Sequence, residues 1–253
     1  MRQITNAMSD IVVDELFRAC NSRGTIVQFM YAGDLITPGK LVSVKIEHAT
    51  LSSEAFAKRH YWNAEKPDTT EEQQLWKDRK FVQNLTLLPD GYLETIDDGL
   101  VKIPVDIDTI MLNAQVRFKC GKFAESEMYA NAQKQHPDTV VESVNNLITR
   151  LLNCWAFDEN LHSERRYALK MLNIIIRSRL SSKRVVEEYQ LSQRALEWVC
   201  DKIIESYELA IIDPGEAVGS LSAQSNGEPQ QQMTLNTVSF IFSFYFRLTK
   251  ICL

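Results

Sequence analysis

Three successive apolar stripes at helical spacing dominate the C-terminal half of the chain. Val141, Val144, Leu147, Ile148, Leu151, Leu152 and Trp155 recur at i, i+3 and i+4. So do Ala168, Met171, Leu172, Ile175 and Ile176, within a segment read as a helix over 163–180. Leu196, Val199, Cys200, Ile203, Ile204, Tyr207 and Ile211 make the third, over 193–211. Side chains three or four apart lie on one face of an α-helix, so each stripe must be covered by another element. Three such helices close in sequence point to a mainly α fold whose core lies between helices.

The N-terminal half is more mixed. Ile4, Ala7, Met8, Ile11, Val12 and Leu16 follow helical spacing and predict a first helix. Asn21-Ser22-Arg23-Gly24 is turn chemistry, and the β-branched and aromatic TIVQFMY after it predicts a short strand. Thr69 and Glu72 form a capping box ahead of QQLWKDRKFVQNL, which predicts a helix. Residues 86–103 read as a loop, with two turn triplets, Pro89-Asp90-Gly91 and Asp97-Asp98-Gly99. Pro104 suits the first turn of a helix that turns Ile107, Ile110, Met111 and Ala114 inward. Asp106 and Asp108 would be solvated residues at that helix start, where negative charge is favoured. The fold class is therefore mainly α, or α+β with a few short strands.

Composition narrows the function classes. With 253 residues, 45% hydrophobic positions and a net charge of −5, the chain is ordinary for a folded protein. The acidic balance argues against a free-standing nucleic-acid binder, which needs clustered cations. The five cysteines are scattered without a CxxC pair and predict reduced thiols. The four histidines lie at no metal-binding spacing, so no metal site is expected. The opening MRQITNAMSD carries no apolar core of a secretory signal. The longest apolar run, VSFIFSFYF at 238–246, is far short of the roughly 20 residues of a membrane span.

No nucleophile elbow, P-loop or paired-carboxylate constellation is present. One charge cluster stands out. Between Ser163 and Arg184 lie Arg165, Arg166, Lys170, Arg177, Arg179, Lys183 and Arg184, against the single acid Glu164. Arg166, Lys170, Arg177 and Arg184 recur on one helical side and are candidates for contact with nucleic-acid phosphate. The competing reading is an exposed face neutralised by acidic neighbours.

The stretch 213–229 has another texture. Asp213, Pro214 and Glu216 predict a capped helix start. Gly215, Gly219 and Ala223 give a smooth face every four residues, so this helix must approach another backbone closely. The whole string PGEAVGSLSAQSNGEPQQQMTLNT closely resembles the signature of the largest subunit of multisubunit DNA-directed RNA polymerases, approximately PGExVGxLAAQSxGEPxTQMTLNTFHFAG. NSRGTIVQFMYAGD at 21–34 and RSRLSSKRVVEEYQLSQRALEWV at 177–199 resemble further blocks of that family in the same order. The RNA polymerase II type is the nearer in style.

The resemblance implies a layout. Residues 1–20 would be a helix following the bridge-helix position, 21–200 the foot and part of the cleft, and 201–237 a helix and the base of the trigger loop. Gln232, Leu235 and Asn236 match nucleotide-contacting positions. Their amides would suit sugar hydroxyls, and the leucine would lie under a base. The implied activity is DNA-templated ribonucleotidyl transfer in the nucleus, within a complex containing the second-largest subunit, a small shared subunit at the foot, template DNA and RNA. The magnesium of that reaction is held by an NADFDGD loop that does not occur in this sequence. No cofactor is therefore expected on this chain, and by itself it should be inactive. A stand-alone truncated paralogue serving as an interaction module is the alternative. The likeness stops between Thr237 and Val238, where the family's histidine would fall at Ser239. Residues 238–253 are expected to be a translated-intron tail.

Overall fold

The computed structural model describes residues 6–63, 69–86, 100–123, 135–154, 166 and 168–225. The chain divides into two units, one of Met1–Leu35 with Ile212–Leu253, the other of Ile36–Ile211. Among the described residues no helix is long and apolar enough to cross a membrane.

The first unit contains a three-stranded antiparallel sheet, β1 (Val12–Val13), β2 (Ala19–Cys20) and β3 (Ile26–Gln28), in that order. Val12 faces Cys20, and Ala19 faces Gln28. The helix predicted through residue 16 is thus corrected at its C-terminal end: among the described residues helical backbone covers 6–8, and the chain then turns into β1. Asp14 explains the difference. Its carboxylate accepts from the amides of Leu16 at 3.0 Å and Arg18 at 2.8 Å and from Arg18 Nε at 2.7 Å. A side chain that takes local amides this way offers the backbone an alternative to a helix. The Asn21–Gly24 turn forms as predicted, with Asn21 Oδ1 accepting from the Arg23 and Thr25 amides and Gly24 at φ +78°.

In the same unit a helix, named α8 below, runs over the described residues 218–225. It starts later than the expected cap at Asp213. Pro214-Gly215 is instead a turn, with Gly215 at φ +89°. The backbone there pairs with residues 11–13. The Gly215 amide donates to Val13 O at 2.7 Å, the Val13 amide to Glu216 O at 3.1 Å, and the Gly219 amide to Ile11 O at 3.1 Å. The close approach foreseen for Gly219 is present, since a Cβ built there would lie 1.9 Å from Met8 O.

The second unit is helical around a two-stranded sheet. Its elements are β4 (Val42–Lys45), α1 (Glu47–Thr50), α2 (Ser53–His60), α3 (Thr70–Thr86), β5 (Leu100–Ile103), α4 (Ile107–Phe118), α5 (Pro137–Asn153), α6 (Lys170–Arg179), a π-helical turn (Arg184–Tyr189) and α7 (Gln193–Ala210). The capping box of α3 forms in full: the Glu72 amide donates to Thr69 Oγ1 at 3.2 Å and the Thr69 amide to Glu72 Oε2 at 3.1 Å. Such a cap is worth about 1 kcal/mol. α7 packs on α4 and α5, α3 on α1 and α6. The α7 stripe is buried as predicted, from Leu196 to Tyr207. On α5 the buried face is Val140, Val144, Leu147 and Leu151, so Val140 replaces Val141 as the inward residue. On α6, Leu172, Ile175 and Ile176 are buried.

Two local readings change. Residues 100–103, expected in a loop, form β5 and pair antiparallel with β4, Val42 facing Ile103 and Lys45 facing Leu100. The helix after Pro104 begins at Ile107, capped by Asp106, whose carboxylate accepts from the Thr109 amide at 3.1 Å. Pro104 therefore lies before the cap. Ile107, Met111 and Ala114 are buried and Ile110 is half-buried.

Candidate functional site

Among the described cations of the basic run of 163–184, two are internal. Arg184 is 2% exposed and Arg179 8%. Both reach one carboxylate, Glu47 at the start of α1. Arg179 Nη1 donates to Glu47 Oε1, and Arg184 Nη1 donates to Glu47 Oε2 at 3.2 Å. Arg59 of α2 adds a bond to Glu47 Oε1 at 3.1 Å. Arg184 is further held by Glu188 at 2.8 Å, Ser178 O at 3.1 Å and the Tyr189 hydroxyl at 2.5 Å. Arg59 also grips Glu188, at 2.7 Å. Arg179 Nη2 pairs with Asp108 at 3.0 Å, so that aspartate is an ion-pair partner and not merely a solvated helix-start charge.

The π-helical turn makes this geometry available. Widening the helix by one residue aims Arg184 inward, and Gln190, in the left-handed region at φ +50°, closes the turn. Gln115 of α4 donates to Tyr189 O at 3.1 Å and ties the turn to the helical core.

Two histidines share the cluster. His60 Nδ1 lies 3.2 Å from Ser181 Oγ, and its Nε2 lies 3.6 Å from Glu47 Oε2, an electrostatic contact too long for a good hydrogen bond. His48 packs against Phe56 with its Nε2 buried and unpartnered. Burial alone would raise the Glu47 carboxyl; His60, Arg184, Arg179 and Arg59 overcome it and hold it at about 2. Burial, with the nearby His60, pushes His48 down to about 3, and burial also lowers His60. Both rings are thus neutral in the folded protein at pH 7.

These shifts predict acid sensitivity with a defined sign. Glu47 and His48 both titrate lower in the folded protein than in the unfolded chain. Their stabilisation is present above the unfolded values and is lost as pH falls. For His48 the loss begins near pH 6.5 and continues toward 3; for Glu47 it runs from 4.5 toward 2. Urea midpoints are expected to fall steadily from pH 7 to 4, and His48→Phe, which keeps a ring beside Phe56, should flatten the upper part of that decline. Equal midpoints at pH 7 and 4.5 would refute the assignment.

The remaining sequence candidates separate. Arg177 Nε donates to Asp78 at 2.6 Å. Lys170 sits over the Phe81 ring at 3.4 Å from its centroid, and Arg166 is exposed. Lys183 donates to Lys58 O and Tyr61 O, at 2.7 and 2.8 Å. The helical side expected to carry Arg166, Lys170, Arg177 and Arg184 together is thus dispersed. Arg184 in particular lies out of reach of any phosphate. Of the described cations Arg177, Arg179 and Arg184 are paired with carboxylates, while Arg166 stays exposed and Lys170 half-buried. Gln232, Leu235, Asn236, Trp155, Ser163–Arg165 and the 238–253 tail lie outside the described residues.

Glu47, Arg59, His60 and Glu188 carry no sequence motif and escaped sequence reasoning. The signal was indirect: a run of seven cations with one local acid requires carboxylates from elsewhere. Chemically the cluster is saturated. Glu47 accepts from three guanidinium groups, so it is neither a general base nor a metal ligand. Among the described residues no group of three or more His, Cys, Asp or Glu could hold a metal ion.

The family model described as RNA polymerase Rpb1, domain 6, matches residues 50–210. That span runs from α1 to the last residue of α7 and contains most of the arginine cluster. The match covers more than half of the chain, and the chain belongs to the family of RNA polymerase largest subunits, of which it carries domain 6.

Proposed function

We propose that the chain serves DNA-directed RNA synthesis as the foot and trigger-loop base of a largest subunit of the RNA polymerase II type. The observation that carries this reading is the family match over 50–210 followed, after only Ile211 and Ile212, by the trigger-loop-like string of 213–237. In this reading the second unit is a rigid support that contacts a small shared subunit. Residues 230–237 reach the incoming ribonucleotide, with Gln232 and Asn236 on sugar hydroxyls and Leu235 under the base. The reaction is nucleotidyl transfer, and the whole enzyme supplies the magnesium through carboxylates outside this sequence. The second-largest subunit, template and RNA are partners of that assembly, which acts in the nucleus.

The chain alone is expected to make no RNA. Template-dependent ribonucleotide incorporation by the purified chain, abolished by Asn236→Ala, would overturn this assignment. Epitope-tagged chain expressed in its own cells is expected to co-purify with the second-largest polymerase subunit from nuclear extract. A tagged chain that elutes at its own mass, free of polymerase subunits, would count against the reading.

A further inference from the structure

Helix α3 segregates its charges in an unusual way. Its acids all turn inward and are used. Glu71 accepts from the Ser182 amide and hydroxyl at 2.8 and 2.5 Å. Glu72 accepts from the Trp62 and Thr69 amides at 2.7 and 3.1 Å, and Asp78 accepts from Arg177. The outward face carries Lys77 and Lys80, both exposed, beside Trp76, which is 43% exposed. Lys170, at the start of the neighbouring α6, lies over the half-buried Phe81 of the same helix. Lys80 lies 3.7 Å from the Trp76 ring centroid. Among the described residues none of these three lysines pairs with a carboxylate, although Arg59, Arg177, Arg179 and Arg184 all do.

We propose that this face, Trp76, Lys77, Lys80, Phe81 and Lys170, docks an acidic protein segment that places an apolar side chain on Trp76 and carboxylates on the lysines. Positive charge left over after every acid of α3 is committed, beside a large exposed indole, calls for a partner that is both anionic and apolar. Tryptophan supplies contact area at low entropic cost and is enriched at interface centres. A ring already held by a cation still has a second face for an apolar side chain. The patch is short. From residue 76 to 81 a helix rises only about 8 Å, so three cations meet a few carboxylates rather than a long phosphate backbone. The protein's net charge of −5 also opposes a polyanion of nucleic-acid length. The surface is separate from the nucleotide-facing role proposed above and does not depend on it.

The test uses the full chain and a fluorescein-labelled twelve-residue peptide of Asp, Glu and Leu, read by fluorescence anisotropy at low salt. A twelve-nucleotide single strand of DNA is the comparison probe. The peptide is expected to bind and to weaken with added salt. Lys77→Glu with Lys80→Glu should weaken it at least tenfold. Lys170→Gln should weaken it about threefold, and Trp76→Ala should weaken it while leaving the salt dependence unchanged. If the charge-reversed pair disturbs folding, seen as a lowered melting temperature, Lys77→Gln with Lys80→Gln gives the same direction at about fivefold. No peptide binding, binding unaffected by these substitutions, or tighter binding of the DNA strand at this face would each overturn the proposal.

Discussion

Glu47→Ala is expected to destabilise the Ile36–Ile211 unit by about 3–5 kcal/mol, the cost of breaking a buried ion pair by removing one partner. Glu47 is the shared acceptor of Arg59, Arg179 and Arg184. Without it Arg184, at 2% exposure, keeps a guanidinium in the interior with only Glu188 as a carboxylate partner. Arg179 keeps Asp108, which is half open to solvent. The effect should exceed that of Arg59→Ala, because the Arg59 pairs are partly exposed and Glu47 keeps Arg179 and Arg184 when Arg59 is removed. Glu47→Gln should fall between the two, since it preserves an acceptor oxygen while losing the charge. Urea unfolding at pH 7 measures all three. A loss under 1 kcal/mol for Glu47→Ala would mean that the arginines find solvent or other acceptors and that the cluster is incidental to stability.

Substitution of Gly219 should produce the second large effect, confined to the other unit. In a helix, Gly→Ala ordinarily stabilises by about 0.5–1 kcal/mol. Here the added Cβ would sit 1.9 Å from Met8 O and 2.8 Å from Ile11 Cβ. The first contact is with backbone, so relief requires α8 or residues 8–11 to move. Overpacking of this kind costs about 3 kcal/mol, the upper end of its usual range, and outweighs the propensity gain. Gly219→Val should cost more. Hydrogen exchange gives the local readout, since the amides of Val13, Gly215 and Gly219 close the pairing between these segments. In Gly219→Ala their protection should drop by about two orders of magnitude, each 1.4 kcal/mol being a factor of ten. Protection in the α7 amides should be unaffected. Wild-type protection at Gly219 in the alanine variant would show that the helix has room for a methyl group.

Much of the helical architecture was legible. Stripes of 3.6-residue period over 141–152 and 196–211 located α5 and α7, because a helix that buries one face must repeat its apolar residues at that period. The capping box at Thr69 and Glu72 and the turn at Asn21–Gly24 were equally local, each a few side chains satisfying nearby amides. The first segment was misread for an instructive reason. Ile4 to Leu16 satisfies helical spacing, but Asp14 captures two amides and the Val12–Val13 strand finds a partner at Ala19–Cys20. Periodicity records which residues are apolar and is silent on which competing hydrogen bonds win. β5 failed in the same way, since its partner β4 lies more than fifty residues earlier.

The family could be named from strings of 213–237, 21–34 and 177–199, because short-range signatures survive in the order of residues alone. The use of the basic run could not. Phosphate contact and internal neutralisation require the same arginines at the same spacing. Only the tertiary structure brings Glu47 to Arg184, across 137 positions of chain, and Asp78 to Arg177, across 99. An arginine's role is set by whether a carboxylate or water lies within about 4 Å of its guanidinium, and that distance is decided by packing. The sequence alone located α5, α7, the cap of α3 and the family. Which of their charges are buried and spent, and which remain on the outer face of α3 at Lys77 and Lys80, was decided by how those helices pack.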